Sequence, residues 1–152
     1  MLNATILLIG ATKPARLGVY NENGDRLENF TIEAPLTEGL YPLMKSIDER
    51  FKITKLLYAR GPGSFMGLKL SYLFCKSFAI ARDIPFLAAD SFALSGGKPI
   101  LSRQNRRFTK NADTIEIEIF DTPFEEALLP PETLDLSMFD AQTPPNYILS
   151  AA

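Results

Sequence analysis

The sequence predicts an α/β protein whose mixed sheet follows the order β-β-β-α-β-α, with a reduced C-terminal second lobe. Three observations predict it. Residues 5–10 are a continuous β-branched and leucine run, the pattern of a strand buried on both faces. Two short apolar segments come after it, separated by Asn23-Gly24, a pair that favours a tight hairpin. Further on, a strand ending at Ala59 enters a glycine-rich turn that opens directly into a long apolar helix.

Residues 16–20 read as the second strand, and residues 26–33 alternate well enough to be the third, with a type I′ turn at Asn23-Gly24 between them. A first helix is expected from about Thr37, because Leu40, Leu43, Met44, Ile47 and Phe51 recur at helical spacing while Lys45, Asp48, Glu49 and Arg50 lie elsewhere on the wheel. Pro42 is expected to kink its first turn or delay its start. Residues 55–59 are a further strand and residues 64–82 the second helix. Beyond Pro85 come a short strand at 86–88, a short helix from Asp90 or Ser91, a Gly96-Gly97 break and a strand at 98–101. The basic run 103–110 is expected as a solvated loop, and residues 114–120 alternate as an edge strand does. Prolines at 123, 130, 131, 144 and 145 break up any long element in the remainder of the chain. The expected division is residues 1–100 for the main domain and 101–152 for the reduced region.

With 152 residues, 46% of them hydrophobic and 22% charged, the chain can bury one main core. A net charge of -2 supplies no global basic field for nucleic acid or an anionic membrane. There is no histidine, so Ser-His-Asp and Cys-His catalysis and the commonest zinc sites fall away. The single cysteine, Cys75, allows no internal disulfide and reads as a small buried hydrophobe. The apolar run at residues 4–10 is too short for a membrane span and has no basic flank, so a cytoplasmic protein is expected.

The turn Gly61-Pro62-Gly63-Ser64 has two readings. A helix N-terminus capped by Ser64 leaves backbone N–H groups that favour an anion. The P-loop spacing is absent, however, and glycines also serve close packing of strand and helix, which the residue types favour. The helix itself confines its charges to Lys69, Lys76 and Asp83. One apolar flank carries Met66, Leu70, Leu73, Phe74 and Ile80; the other carries Leu68, Tyr72, Cys75, Phe78 and Ala79. Gly67, Ser71, Cys75 and Ala79 form a ridge of small residues at intervals of four. A helix on a small sheet needs one apolar flank, so the other must be covered by the rest of the chain or by another protein.

The run Tyr58-Ala59-Arg60-Gly61-Pro62-Gly63-Ser64-Phe65-Met66-Gly67-Leu68-Lys69 resembles the GRGPGSFTGLR-like signature of the bacterial TsaB (YeaZ) family. Leu40-Tyr41-Pro42-Leu43 is similar to that family's LLP helix, and Phe78-Ala79 through Ile84-Pro85 to Ser91-Phe92 is similar to a further family run, so the likeness spans roughly residues 3–100. It implies an actin-like, ribonuclease-H-like (ASKHA) domain. It also implies a non-catalytic subunit, an inactive paralogue of the transferase TsaD, that supports threonylcarbamoylation of the adenosine next to the anticodon in tRNAs reading codons that begin with A. The implied partners are a TsaD-like transferase, a TsaE-like ATPase and, indirectly, tRNA, with a homodimer formed in their absence. ATP and Mg²⁺ would sit on the partner proteins, and the chain itself would hold no cofactor or metal.

The expected partner interface is Leu40, Leu43, Ile47, Gly67, Leu68, Ser71, Tyr72 and Cys75. The family turn is Gly61, Pro62, Gly63, Ser64, Phe65 and Gly67, and Arg103, Arg106, Arg107 and Lys110 are candidate RNA contacts. The chain departs from the pattern at Gly10, where the family carries an aspartate, and in lacking the histidine that precedes the first helix. An aspartate there organises Mg²⁺ and phosphate in active superfamily members. The competing reading is an ATP-binding enzyme of the same superfamily with weak phosphotransfer or hydrolase activity; a peptidase is disfavoured because no histidine is present to ligate metal or act as base.

Overall fold

A computed structural model describes residues 1–148. The first apolar run forms β1 (Asn3–Ile9), with Ile6 and Leu8 buried on one side and Leu7 and Ile9 on the other. A strand apolar on both faces belongs inside a sheet that is covered twice. Around β1 lie β2 (Ala15–Tyr20), β3 (Arg26–Ile32), β4 (Lys52–Ala59) and β5 (Phe86–Ala89), in the order β3-β2-β1-β4-β5. The three opening strands are antiparallel, and β4 and β5 run parallel to β1.

The hairpin between β2 and β3 is not type I′. Gly24 alone has a left-handed backbone there (φ 84°), and the Gly24 amide donates to the Asn21 carbonyl at 3.1 Å. The Asn21 side chain accepts from the Asn23 and Asp25 amides, so an asparagine before the predicted pair sets the turn.

Helix α1 (Leu36–Asp48) begins after Pro35 and runs through Pro42 without interruption. The carbonyl that loses its partner at Pro42 belongs to Glu38, and both residues are exposed, so water can take the place of the missing amide. Helix α2 (Phe65–Arg82) lies beside α1 on the same face of the sheet, and Arg82 pairs with Asp48 at 2.6 Å where both helices end. Leu40, Met44 and Ile47 of α1 and Cys75 and Ala79 of α2 pack onto Ile6, Leu8, Leu17 and Leu56.

The second face is covered by the rest of the chain. After α3 (Ser91–Leu94), capped by Asp90, come β6 (Ile100–Arg103), β7 (Arg106–Asn111) and β8 (Thr114–Ile119), an antiparallel sheet of their own. Ile100, Phe108, Leu128, Leu134 and Phe139 join Leu7, Ile9 and Leu57 in one core. The proline-rich tail then crosses this face from the β2–β3 hairpin, where Asp25 bridges Thr133, to β5, where Ala88 and Asp140 exchange both backbone bonds at 2.9 Å. Buried tyrosine hydroxyls tie it down: Tyr20 donates to the Pro131 carbonyl and Tyr58 to that of Thr143.

The basic run is therefore strand, not loop. Arg107 is buried, 7% exposed, with its guanidinium over Phe120 and Phe124 at 4.4 and 5.2 Å and donating to the Thr122 carbonyl. Cation–π contact and burial make it a clamp for the segment that leaves β8. Among the described residues, no helix is long and apolar enough to cross a membrane.

Candidate functional site

The junction between β4 and α2 is built by close approach. Gly61 has φ +114°, and a Cβ there would lie 2.6 Å from the Asn146 carbonyl oxygen; one on Gly63 would lie 2.5 Å from that of Ala11. Backbone bonds fasten the turn from three directions: the Ser64 amide to Ala11, the Ser91 amide to Gly61 and the Asn146 amide to Arg60. Arg60 also holds Asp140 at 2.9 Å, and the Gln142 amide together with Arg60 keeps that carboxyl below the usual carboxylate range. Ser64 caps α2, its Oγ accepting from the Gly67 amide at 3.3 Å.

Gly67 brings the α2 backbone against Gly10, the residue that follows β1. A Cβ on it would sit 1.9 Å from the Gly10 carbonyl oxygen, and one on Gly10 would sit 2.0 Å from Ser71 Oγ. Ser71 Oγ in turn donates to the Gly67 carbonyl at 2.6 Å. A side chain at position 10 would thus meet α2, which occupies the volume it would need.

This geometry corrects the expected partner interface. Leu40, Ile47, Leu68, Ser71 and Cys75 are 0–3% exposed and belong to the chain's own core, while Leu43, Gly67 and Tyr72 are half-buried beside them. The small ridge faces the sheet and the β1–β2 turn, since small side chains let backbone approach backbone. Burial also pushes the Cys75 thiol up to about 12, which disfavours the thiolate. Among the described residues, no group of acidic, histidine or cysteine side chains is placed to hold a metal.

The other flank of α2 is the one left open. Met66, Leu73 and Ile80 are 53%, 48% and 71% exposed and stand seven residues apart, so they form one stripe along the helix. Lys69 and Lys76 border it at the same spacing, and Tyr41 of α1 is exposed as well. The seven-residue spacing was the signal in the sequence that singles this stripe out. Of the candidate RNA contacts, Arg107 is withdrawn into its aromatic clamp; Arg103 and Arg106 flank the β6–β7 turn, and Lys110 lies exposed near the far end of β7.

A five-stranded sheet in this order, with two helices on one face, is an actin-like, ribonuclease-H-like fold. Two of the solved structures that share it are the following. One is described as an uncharacterized protein with similarity to peptidase YEAZ from Pseudomonas aeruginosa, with a TM-score of 0.60 and 15% identity over 82% of this chain and 71% of that one. The other is YeaZ from Pseudomonas aeruginosa, with a TM-score of 0.57 and 18% identity over 92% of this chain and 73% of that one. No protein-family model and no curated protein matches the sequence.

Proposed function

We propose that the chain is a TsaB (YeaZ)-type protein. In this reading it is a non-catalytic subunit that holds a TsaD-like transferase for threonylcarbamoylation of the adenosine next to the anticodon in tRNAs reading codons that begin with A. A TsaE-like ATPase completes the assembly, tRNA is met through the partners, and ATP and Mg²⁺ are theirs. The shared fold and the GPGSF turn support the family. The observation that carries the binding role is the exposed stripe of Met66, Leu73 and Ile80 on α2.

An apolar stripe with a seven-residue repeat is the pattern that packs against another helix, and this one lies on a helix whose opposite side is already consumed by the core. The docking surface is therefore the Met66, Leu70, Leu73 and Ile80 flank, in place of the buried ridge. Without the transferase, a second copy covers the same stripe as a homodimer. The non-catalytic assignment is supported by Gly10, where a carboxylate finds no room, and by the buried, un-ionised thiol of Cys75. Reconstitution tests it: the TsaD homologue from the same genome, with its ATPase, is expected to modify tRNA when this chain is added and not when it is left out. Equal modification with and without the chain would defeat the reading.

A further inference from the structure

The charges of α2 have one sign only. Over its 18 residues the helix holds Lys69, Lys76 and Arg82 and no acid. A solvated surface helix ordinarily mixes the signs, so that a cation finds an acid three or four residues away. Arg82 is taken up by Asp48 of α1, but Lys69 and Lys76 form no ion pair among the described residues. Lys76 has only the Tyr72 hydroxyl, at 3.1 Å, and the face of the same ring. The chain as a whole carries -2, so this excess of cations is local to the helix.

Both lysines stand on one edge of the exposed stripe. At 100° per residue they lie roughly 40–60° from the line of Met66, Leu73 and Ile80, on the side of β5, where Tyr72 packs on Phe86 with ring centroids 6.1 Å apart. The other edge carries Leu70, Phe74 and Phe78 and turns toward α1, where Arg82 sits over Phe78 and pairs with Asp48. Seven residues set the two lysines about 10 Å apart along the axis, the repeat at which a facing helix presents its own edge positions.

On the reading that α2 docks a partner helix through this stripe, we propose that Lys69 and Lys76 select that partner: the facing helix carries carboxylates seven residues apart along the edge that meets them. A second copy of the chain has none to offer from its own α2. With the two helices antiparallel about a two-fold axis, each lysine row meets the other; with the helices parallel, each row lies against Leu70 and Phe74. The apolar contact is common to both complexes, so the lysines decide the exchange. An acid-edged helix displaces the second copy, because complementary charge speeds encounter and like charge across an interface is penalised.

Calorimetry and association kinetics on the full chain, with the TsaD homologue of the same genome, test this. Affinity is expected to fall as salt rises from about 0.05 to about 0.5 M, while self-association of the chain alone, followed by sedimentation, holds level or strengthens. Lys69→Gln and Lys76→Gln together should weaken the complex by roughly threefold or more, and glutamate at both positions by roughly tenfold or more, chiefly through slower association. Arginine at both positions should keep the parent's affinity. Both positions are exposed, so melting temperatures should not move. Leu73→Gln removes apolar contact at unchanged charge and keeps the two readings apart. A complex weakened by Leu73→Gln but indifferent to the glutamine and glutamate pairs would overturn charge selection and leave docking standing; no binding by the parent at any salt would defeat both. Self-association that salt weakens as strongly as it weakens the complex would also overturn the proposal. So would lysine variants that bind the transferase as the parent does yet lower the affinity of the assembled complex for tRNA, which would assign the cations to a nucleic-acid backbone.

Discussion

Replacing Gly67 with alanine tests how α2 is seated. The new Cβ would start 1.9 Å from the Gly10 carbonyl oxygen, whereas real Cβ contacts essentially never fall below 3.0 Å, so the helix start must move away from β1 by more than an ångström. That movement opens the packing of Leu68 and strains the Ser71–Gly67 bond. Overpacking of this kind costs about 1–3 kcal/mol, and the better helix propensity of alanine returns up to about 1 kcal/mol. Because the obstacle is backbone and not a flexible side chain, the net loss should lie near 2 kcal/mol, a fall in melting temperature of roughly 4–8 °C for a chain of this size. Urea unfolding reads it as a lower midpoint at unchanged slope. Gly39→Ala is the comparison, since its Cβ would start 2.7 Å from the Ile32 Cγ2 methyl, a smaller overlap than 1.9 Å against backbone, and should cost less. A Gly67→Ala protein as stable as the parent would refute the close contact and, with it, the overlap that a side chain at position 10 would meet.

Three more outcomes are expected. Ser71→Arg should unfold the monomer, because a cation would enter a site that is 0% exposed; a folded variant that merely loses a partner would return the interface to the ridge. Cys75 should resist thiol reagents until the protein is denatured, with burial holding the thiol near 12, and labelling at the rate of a free thiol in native buffer would count against its place in the core. The hydrogen bond from Arg82 holds the Asp48 carboxyl below its ordinary value. The pair's contribution is thus whole above about pH 4, where an unfolded aspartate ionises, and is lost as pH falls through the lower folded value. Asp48→Asn should lower stability by less than about 1 kcal/mol at pH 7 and by nothing at a pH below both values, so equal losses at both pH values would argue against the pairing.

The strands and helix starts were open to sequence reading because their signals are local. A short two-sided apolar run rich in β-branched residues fits an inner strand, and Ser64 and Asp90 announce the helices they cap. Choosing between the flanks of α2 was different in kind. Both are apolar on the wheel, and the choice is made by Gly10, far off in the chain, whose carbonyl lies against Gly67. The same holds for Arg107, whose aromatic clamp comes from the end of β8 and the tail. Pro42 misled because a helix breaker was weighed without knowing that its face is wet. Asn23-Gly24 misled because Asn21 competes for the turn.

Docking of a TsaD-like transferase on the outer stripe of α2 is decided by the affinity of this chain for the TsaD homologue of the same genome, measured by calorimetry for the parent and for Leu73→Arg and Ile80→Arg. Both substitutions fall on exposed positions, so the melting temperature should hold while association weakens by roughly tenfold or more, as expected when a charge enters the centre of an apolar contact. Unchanged affinity in both variants, with the parent binding well, would contradict docking at the stripe and place the partner elsewhere on the molecule.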